Sequence, residues 1–158
     1  MRGHRRARRA GVLAVPAAAA LLAAACSSGA SSEPSLLSGS IGGNAVTFVQ
    51  PYKTVTSGTV VANGTGYTLY WFSKDTSAYT ACDNVCVPQW PPVTGAPKLT
   101  AGTTLPGQLG TLRRSDGVVQ ATYDGHPLYT FAGDFGPGDV GGNNVVQFGG
   151  TWHVVRPG

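Results

Sequence analysis

The chain has 158 residues, enough for one domain of ordinary size. Its formal charge of +4 is a property of the N-terminus, where Arg2, Arg5, Arg6, Arg8 and Arg9 fall within the first nine residues. From residue 26 onward, six basic residues face seven acidic ones, which leaves no basic surface for nucleic acid or an anionic membrane face.

Residues 1–25 have the three parts of an export signal. Met1–Arg9 is arginine-rich, Ala10–Leu22 is apolar, and Ala23-Ala24-Ala25 is a small-residue cleavage region. The segment is too short to span a membrane as a helix and is set aside from the fold. Cys26 follows directly, in a setting that resembles the lipobox of bacterial lipoproteins. That resemblance implies a diacylglycerol on the Cys26 sulfur and an anchor at the extracytoplasmic face of the cell membrane. Arg8-Arg9 is compatible with twin-arginine export as well as with the general route. Residues 26–40 form a lipidated Ser/Gly-rich tether that cannot bury enough apolar surface to order itself.

The folded domain is expected over residues 41–158. Its Gly, Thr, Val, Tyr and Pro content is a turn-rich β composition. Ala45–Val49 alternates as a strand, and Thr54–Ala62 is a second strand region broken at Ser57-Gly58. Asn63-Gly64 is a hairpin turn leading into the strand Tyr67–Ser73, which is apolar on both faces. Asp75–Trp90 is a loop carrying Cys82 and Cys86, and the prolines after it mark edge or irregular structure. Lys98–Pro106 reads mostly as connection. Leu109–Arg114 and Val118–Tyr123 are strands around an Asp116-Gly117 turn, and Asp124-Gly125 turns into the strand His126–Ala132. A Gly-rich loop then leads to a closing hairpin, Val145–Phe148 and Thr151–Val155, with a Gly149-Gly150 turn.

Two stretches repeat. Gly66-Tyr67-Thr68-Leu69-Tyr70-Trp71-Phe72-Ser73-Lys74-Asp75 matches Gly125-His126-Pro127-Leu128-Tyr129-Thr130-Phe131-Ala132-Gly133-Asp134 at the Gly, Leu, Tyr, Phe and Asp positions. Each is followed by a tryptophan and a valine-bearing run, Trp90-Pro91-Pro92-Val93 and Trp152-His153-Val154-Val155. The repeats at 66–93 and 125–155 imply two copies of one small β unit. The expected fold is all-β: a small sandwich or partly closed barrel of about eight short antiparallel strands.

The motifs Tyr70-x-Phe72-x-x-Asp75 and Tyr129-x-Phe131-x-x-Asp134 resemble the Tyr-x-aromatic-x-x-Asp motif of the secreted-repeat bacterial lipoproteins. Cys82-x-x-x-Cys86 with Trp90-Pro91-Pro92, Arg114-x-Asp116-Gly117 and Gly149-Gly150-x-Trp152 agree with it. The resemblance covers roughly residues 60–156. It implies an exported lipoprotein, of a kind common in high-GC Gram-positive bacteria, with no established biochemical function.

In an oxidising compartment, two nearby cysteines read as a disulfide. A Cys82–Cys86 loop is short, so the gain is about 2 kcal/mol. Asp75 and Asp134 stand where strands end and are expected to fix turns; the alternative is a general acid–base pair. Asp134, Asp139, Asn143 and Asn144 share one loop that offers oxygen ligands, though at no standard calcium spacing. His126 and His153, the histidines beyond residue 25, are metal-ligand candidates whose ordinary reading is exposed strand residues. Tyr52, Tyr67, Trp71, Tyr79 and Trp90 are candidates for an aromatic binding patch. No nucleophile elbow, zincin, phosphate-loop or dinucleotide signature is present. The reading is a non-enzymatic interaction module with no cofactor, held to the membrane by its lipid, with an envelope protein or glycan as partner. The alternative is a metal- or cofactor-binding envelope protein in redox or metal handling.

Overall fold

The computed structural model describes residues 45–158. The expected export signal, the expected lipidation at Cys26 and the expected tether all lie outside the described residues. Nine strands follow in chain order: β1 Val46–Lys53, β2 Thr59–Asn63, β3 Tyr70–Phe72, β4 Ala96–Leu99, β5 Leu109–Arg113, β6 Val119–Tyr123, β7 His126–Pro127, β8 Val146–Gln147 and β9 Gly150–Val154. They form three three-stranded sheets, ordered β2-β1-β4, β3-β9-β8 and β5-β6-β7. The described chain is all-β, and no sheet closes on itself as a barrel.

One expectation is corrected. The nine strands of the described residues agree with the expected count of about eight, but they are not all antiparallel. β4, whose Lys98 and Leu99 fall in the stretch expected mostly as connection, pairs in parallel with β1 through Val46↔Ala96 to Val49↔Leu99. Pro97 stands in this strand, in keeping with the edge or irregular structure expected at the prolines. The residue is tolerated here because β4 is an edge strand, where one side of the ladder needs no donor.

The two hairpins β1–β2 and β5–β6 are built alike. In the first, Thr54 N–H donates to Gly58 O at 2.9 Å; in the second, Arg114 N–H donates to Val118 O at 2.9 Å. Asp124 (φ 48°) and Gly125 (φ 80°) make the expected tight turn with both central residues left-handed. In the closing hairpin the left-handed pair is Phe148 (φ 53°) and Gly149 (φ 77°), one residue earlier than expected. Gly150 instead begins β9, where a β-carbon would stand 2.5 Å from the Phe72 ring. Packing against Phe72, rather than turn geometry, calls for that glycine.

Two closed rings of backbone hydrogen bonds tie the sheets together. Val61 N–H donates to Val155 O (2.8 Å), Val155 N–H to Leu69 O (2.9 Å), and Leu69 N–H to Val61 O (2.9 Å). The second ring repeats the pattern: Ala121 to Val93 (2.8 Å), Val93 to Leu128 (2.9 Å), Leu128 to Ala121 (3.0 Å). Between the rings Tyr70 and Tyr129 exchange a reciprocal pair of backbone bonds, each 2.9 Å. Each ring takes its hairpin and motif strand from one copy and its closing valine from the other. The copies are therefore interlocked. All six ring residues are buried in one apolar cluster. A second cluster gathers the tyrosines, Phe72, Trp90, Trp152 and both cysteines.

Candidate functional site

The repeat motif sits where the copies meet, and its polar groups cross over. Tyr70 Oη donates to Asp134 Oδ2 at 2.6 Å, and Tyr129 Oη donates to Asp75 Oδ2 at 2.7 Å. Each tyrosine thus bonds the aspartate of the other copy. The second carboxylate oxygen pins the loop that follows it: Asp75 Oδ1 accepts Ala81 N–H at 2.7 Å, and Asp134 Oδ1 accepts Gly141 N–H at 2.9 Å. The aromatic residues cross in the same way. Phe72 stacks on Trp152 (4.3 Å), Trp152 on Trp90 (3.9 Å, planes 3° apart), and Trp90 lies against Phe131 (4.4 Å). Tyr70 meets Trp90 edge-on, as Tyr129 meets Trp152. Such arrangements favour association beyond the area they bury.

Burial sets the electrostatics. Desolvation pushes both Asp75 and Asp134 above the ordinary carboxylate range, against the bonds they accept. Tyr70 and Tyr129 are pushed well above the ordinary phenol range, first by desolvation and then by the carboxylate each one faces. The two ends of the clasp differ in their neighbours. Arg114, itself buried, favours the charge of Asp75; it donates to Gln120 Oε1 at 2.8 Å and to the carbonyl of Cys82. Gln120 passes the network on to Leu128 O at 2.8 Å. At the other end Asp139 disfavours the charge of Asp134.

Elsewhere an open groove of about 490 Å³ is lined by several polar side chains. At its centre Trp71 has both imidazoles against it: His126 with ring centroids 4.6 Å apart and His153 at 4.7 Å. His153 on β9 is the direct cross-strand neighbour of Trp71 and His126 lies on β7, so both imidazoles come from the copy opposite Trp71. Asn143, Asn144 and Arg156 complete the wall.

One family model, described as a secreted repeat of unknown function, matches the chain twice, over residues 52–94 and 110–156. The chain belongs to this secreted-repeat family. Comparison with curated proteins and with solved structures returns no match. Each secreted-repeat match takes in the strand before the motif, the motif and the closing valine, so the two matches together carry every segment of the two backbone rings. The family description sets the protein outside the cytoplasm.

Within the secreted-repeat frame, the residues named from sequence fall into three groups. Cys82 and Cys86 are joined by a disulfide, with Cα atoms 5.5 Å apart, and both are buried. Tyr70, Phe72, Asp75, Tyr129, Phe131 and Asp134 come together as the clasp. The aspartates do fix the loops after their strands, but their second role, crossing to the other copy's tyrosine, was not legible. The oxygen-rich loop does not assemble: Asp139 Oδ2 accepts Phe135 and Gly136 N–H, Asn143 Oδ1 accepts Val154 N–H, and Asp134 faces Tyr70. Among the described residues no three His, Cys, Asp or Glu side chains cluster as metal ligands. Trp90 is completely buried and leaves the proposed aromatic patch. Arg114 and Gln120 were missed as buried network members. An arginine beside an Asp-Gly turn reads as surface, and nothing local signals its burial.

Proposed function

We propose that this protein is a lipid-anchored, non-enzymatic binding module of the cell envelope, held at the extracytoplasmic face through Cys26. One observation carries the reading. The repeated hydroxyls and carboxylates are engaged with one another across the copies, while an open groove around Trp71 is lined by His126, His153, Asn143, Asn144 and Arg156. An acid–base pair would need carboxylates free to meet a substrate. Asp75 and Asp134 are each held by two internal donors instead. A rigid scaffold with an accessible aromatic groove suits recognition.

The test is photo-crosslinking in intact cells from a photoreactive residue at position 126, with exposed position 55 as control. Adducts specific to position 126, to an envelope protein or glycan, support the module. Equal labelling at both positions removes it. Intact mass of membrane-extracted protein tests the anchor, and an unmodified Cys26 removes that part.

A second reading is supported by the convergence of both histidines on Trp71: a metal- or cofactor-binding envelope protein. Excess mass in the native over the denatured protein would put it first.

A further inference from the structure

The groove around Trp71 has a chemical bias that narrows its ligand, and this inference rests on the binding-module reading. Both carboxamide oxygens on its wall lie against nitrogens of the protein. Asn143 Oδ1 accepts Val154 N–H at 3.1 Å, and Asn144 Oδ1 lies 3.3 Å from His153 Nδ1. That leaves both amide NH2 groups without a protein acceptor among the described residues. The same holds for the indole N–H of Trp71, which is only partly buried. Arg156 uses one guanidinium nitrogen on Ser57 O at 2.6 Å and keeps further N–H donors on an exposed side chain. The opposing charge on the wall is Asp124, whose Oδ1 is engaged by Gln108 N–H at 2.7 Å. The groove therefore offers donors in excess of acceptors, with one permanent cation, Arg156, and one carboxylate, Asp124.

We propose that this groove binds an acidic saccharide, a sugar ring bearing a carboxylate or a phosphate. The oxyanion meets Arg156 and the two carboxamide NH2 groups, since hydrogen bonds between charged partners are the stronger ones. The ring lies against the planar rims of Trp71 and the imidazoles, which offer apolar surface to its C–H face. The volume, about 490 Å³, lies in the range of small-molecule sites.

The full-length protein in detergent micelles, labelled with ¹⁵N, is titrated with glucuronate, glucose 6-phosphate, glucose and zinc. The expected result is movement of the Trp71 indole N–H and the Asn143 and Asn144 side-chain signals with at least one acidic sugar. The indole N–H signals of buried Trp90 and Trp152 stay still and report an intact fold. Which of the two acids acts separates carboxylate from phosphate as the source. Arg156→Gln should weaken that binding about tenfold, the weight of a charge-assisted bond. Asn144→Asp, which puts a like charge in place of a donor at constant size, should abolish it. Equal response to glucose overturns the acidic class while leaving the groove a saccharide site and the module reading intact. Response to zinc alone overturns the saccharide and promotes the metal reading. No response to any probe overturns the groove as the site, and the crosslinking result then decides the module reading separately.

Discussion

Replacing Tyr70 with phenylalanine removes one oxygen and tests whether the crossed tyrosine–aspartate bonds hold the copies together. The hydroxyl is buried and donates at 2.6 Å to a carboxylate that is itself almost enclosed. A hydrogen bond to a charged group contributes about 1.5–3 kcal/mol, and its loss here leaves Asp134 Oδ2 without its donor. The same hydroxyl accepts Gly142 N–H at 3.3 Å, a weaker contribution. The expected cost is about 2–3 kcal/mol, or a fall in Tm of about 8–12 °C for a domain of this size. Tyr129→Phe should cost less, because the carboxylate it strands, Asp75, keeps Arg114 nearby, whereas Asp134 has Asp139. The assay is urea unfolding followed by the fluorescence of the stacked Trp90–Trp152 pair, run as a double-mutant cycle with Asp134→Ala. The loop bond from Gly141 cancels in that cycle. A coupling of about 1.5 kcal/mol or more is expected. A loss below about 0.5 kcal/mol for Tyr70→Phe, or strict additivity with Asp134→Ala, would refute the clasp.

Four further outcomes follow from the same geometry. Asp75 and Asp134 have raised folded-state pKa values, so their protonated forms favour the native state. Their contribution is present below the ordinary carboxylate pKa and is lost as pH rises through the raised values. Stability from these groups should thus rise between neutral pH and mild acid, and a Tm series falling steadily from pH 7 to 4.5 would contradict it. Tyr70 and Tyr129, also raised, contribute stability that is present below about pH 10 and lost above it, at about 1.4 kcal/mol per pH unit each. Alkaline unfolding that leaves Tm unchanged between pH 10 and 11 would count against their burial. Arg114→Met strands Gln120 Oε1 and the Cys82 carbonyl in the interior and should cost about 3 kcal/mol by denaturant unfolding; a neutral result would show that the network is solvated. Phe148 holds a left-handed backbone on a side chain 43 % exposed, so Phe148→Asn should raise stability by about 1 kcal/mol, and a loss would mean that the ring packs more than its exposure suggests.

The sequence by itself determined what depends on local chemistry. Asp116-Gly117 and Asp124-Gly125 announced turns because few residues accept a positive φ; Asn63-Gly64 announced one too, but there Asn63 Oδ1 accepts Thr65 and Tyr67 N–H and the left-handed residue is Gly66. The alternation of β-branched and aromatic residues announced strands, and five matched positions announced two copies. Cys82 and Cys86 announced a disulfide, because they are close in the chain and export implies an oxidising compartment. The tertiary structure alone decided which copy each residue serves. Nothing near Tyr70 in sequence points to Asp134, and nothing near Val93 points to Leu128. Those partners are fixed by interlocking the copies, which lets each ring of backbone bonds close only with a segment borrowed from the other. The same exchange brings His126 and His153, 27 positions apart, onto one tryptophan and leaves the groove's donors facing outward. Periodicity records which residues can be buried. Which residues meet depends on chain crossings between distant segments, and those leave no local trace.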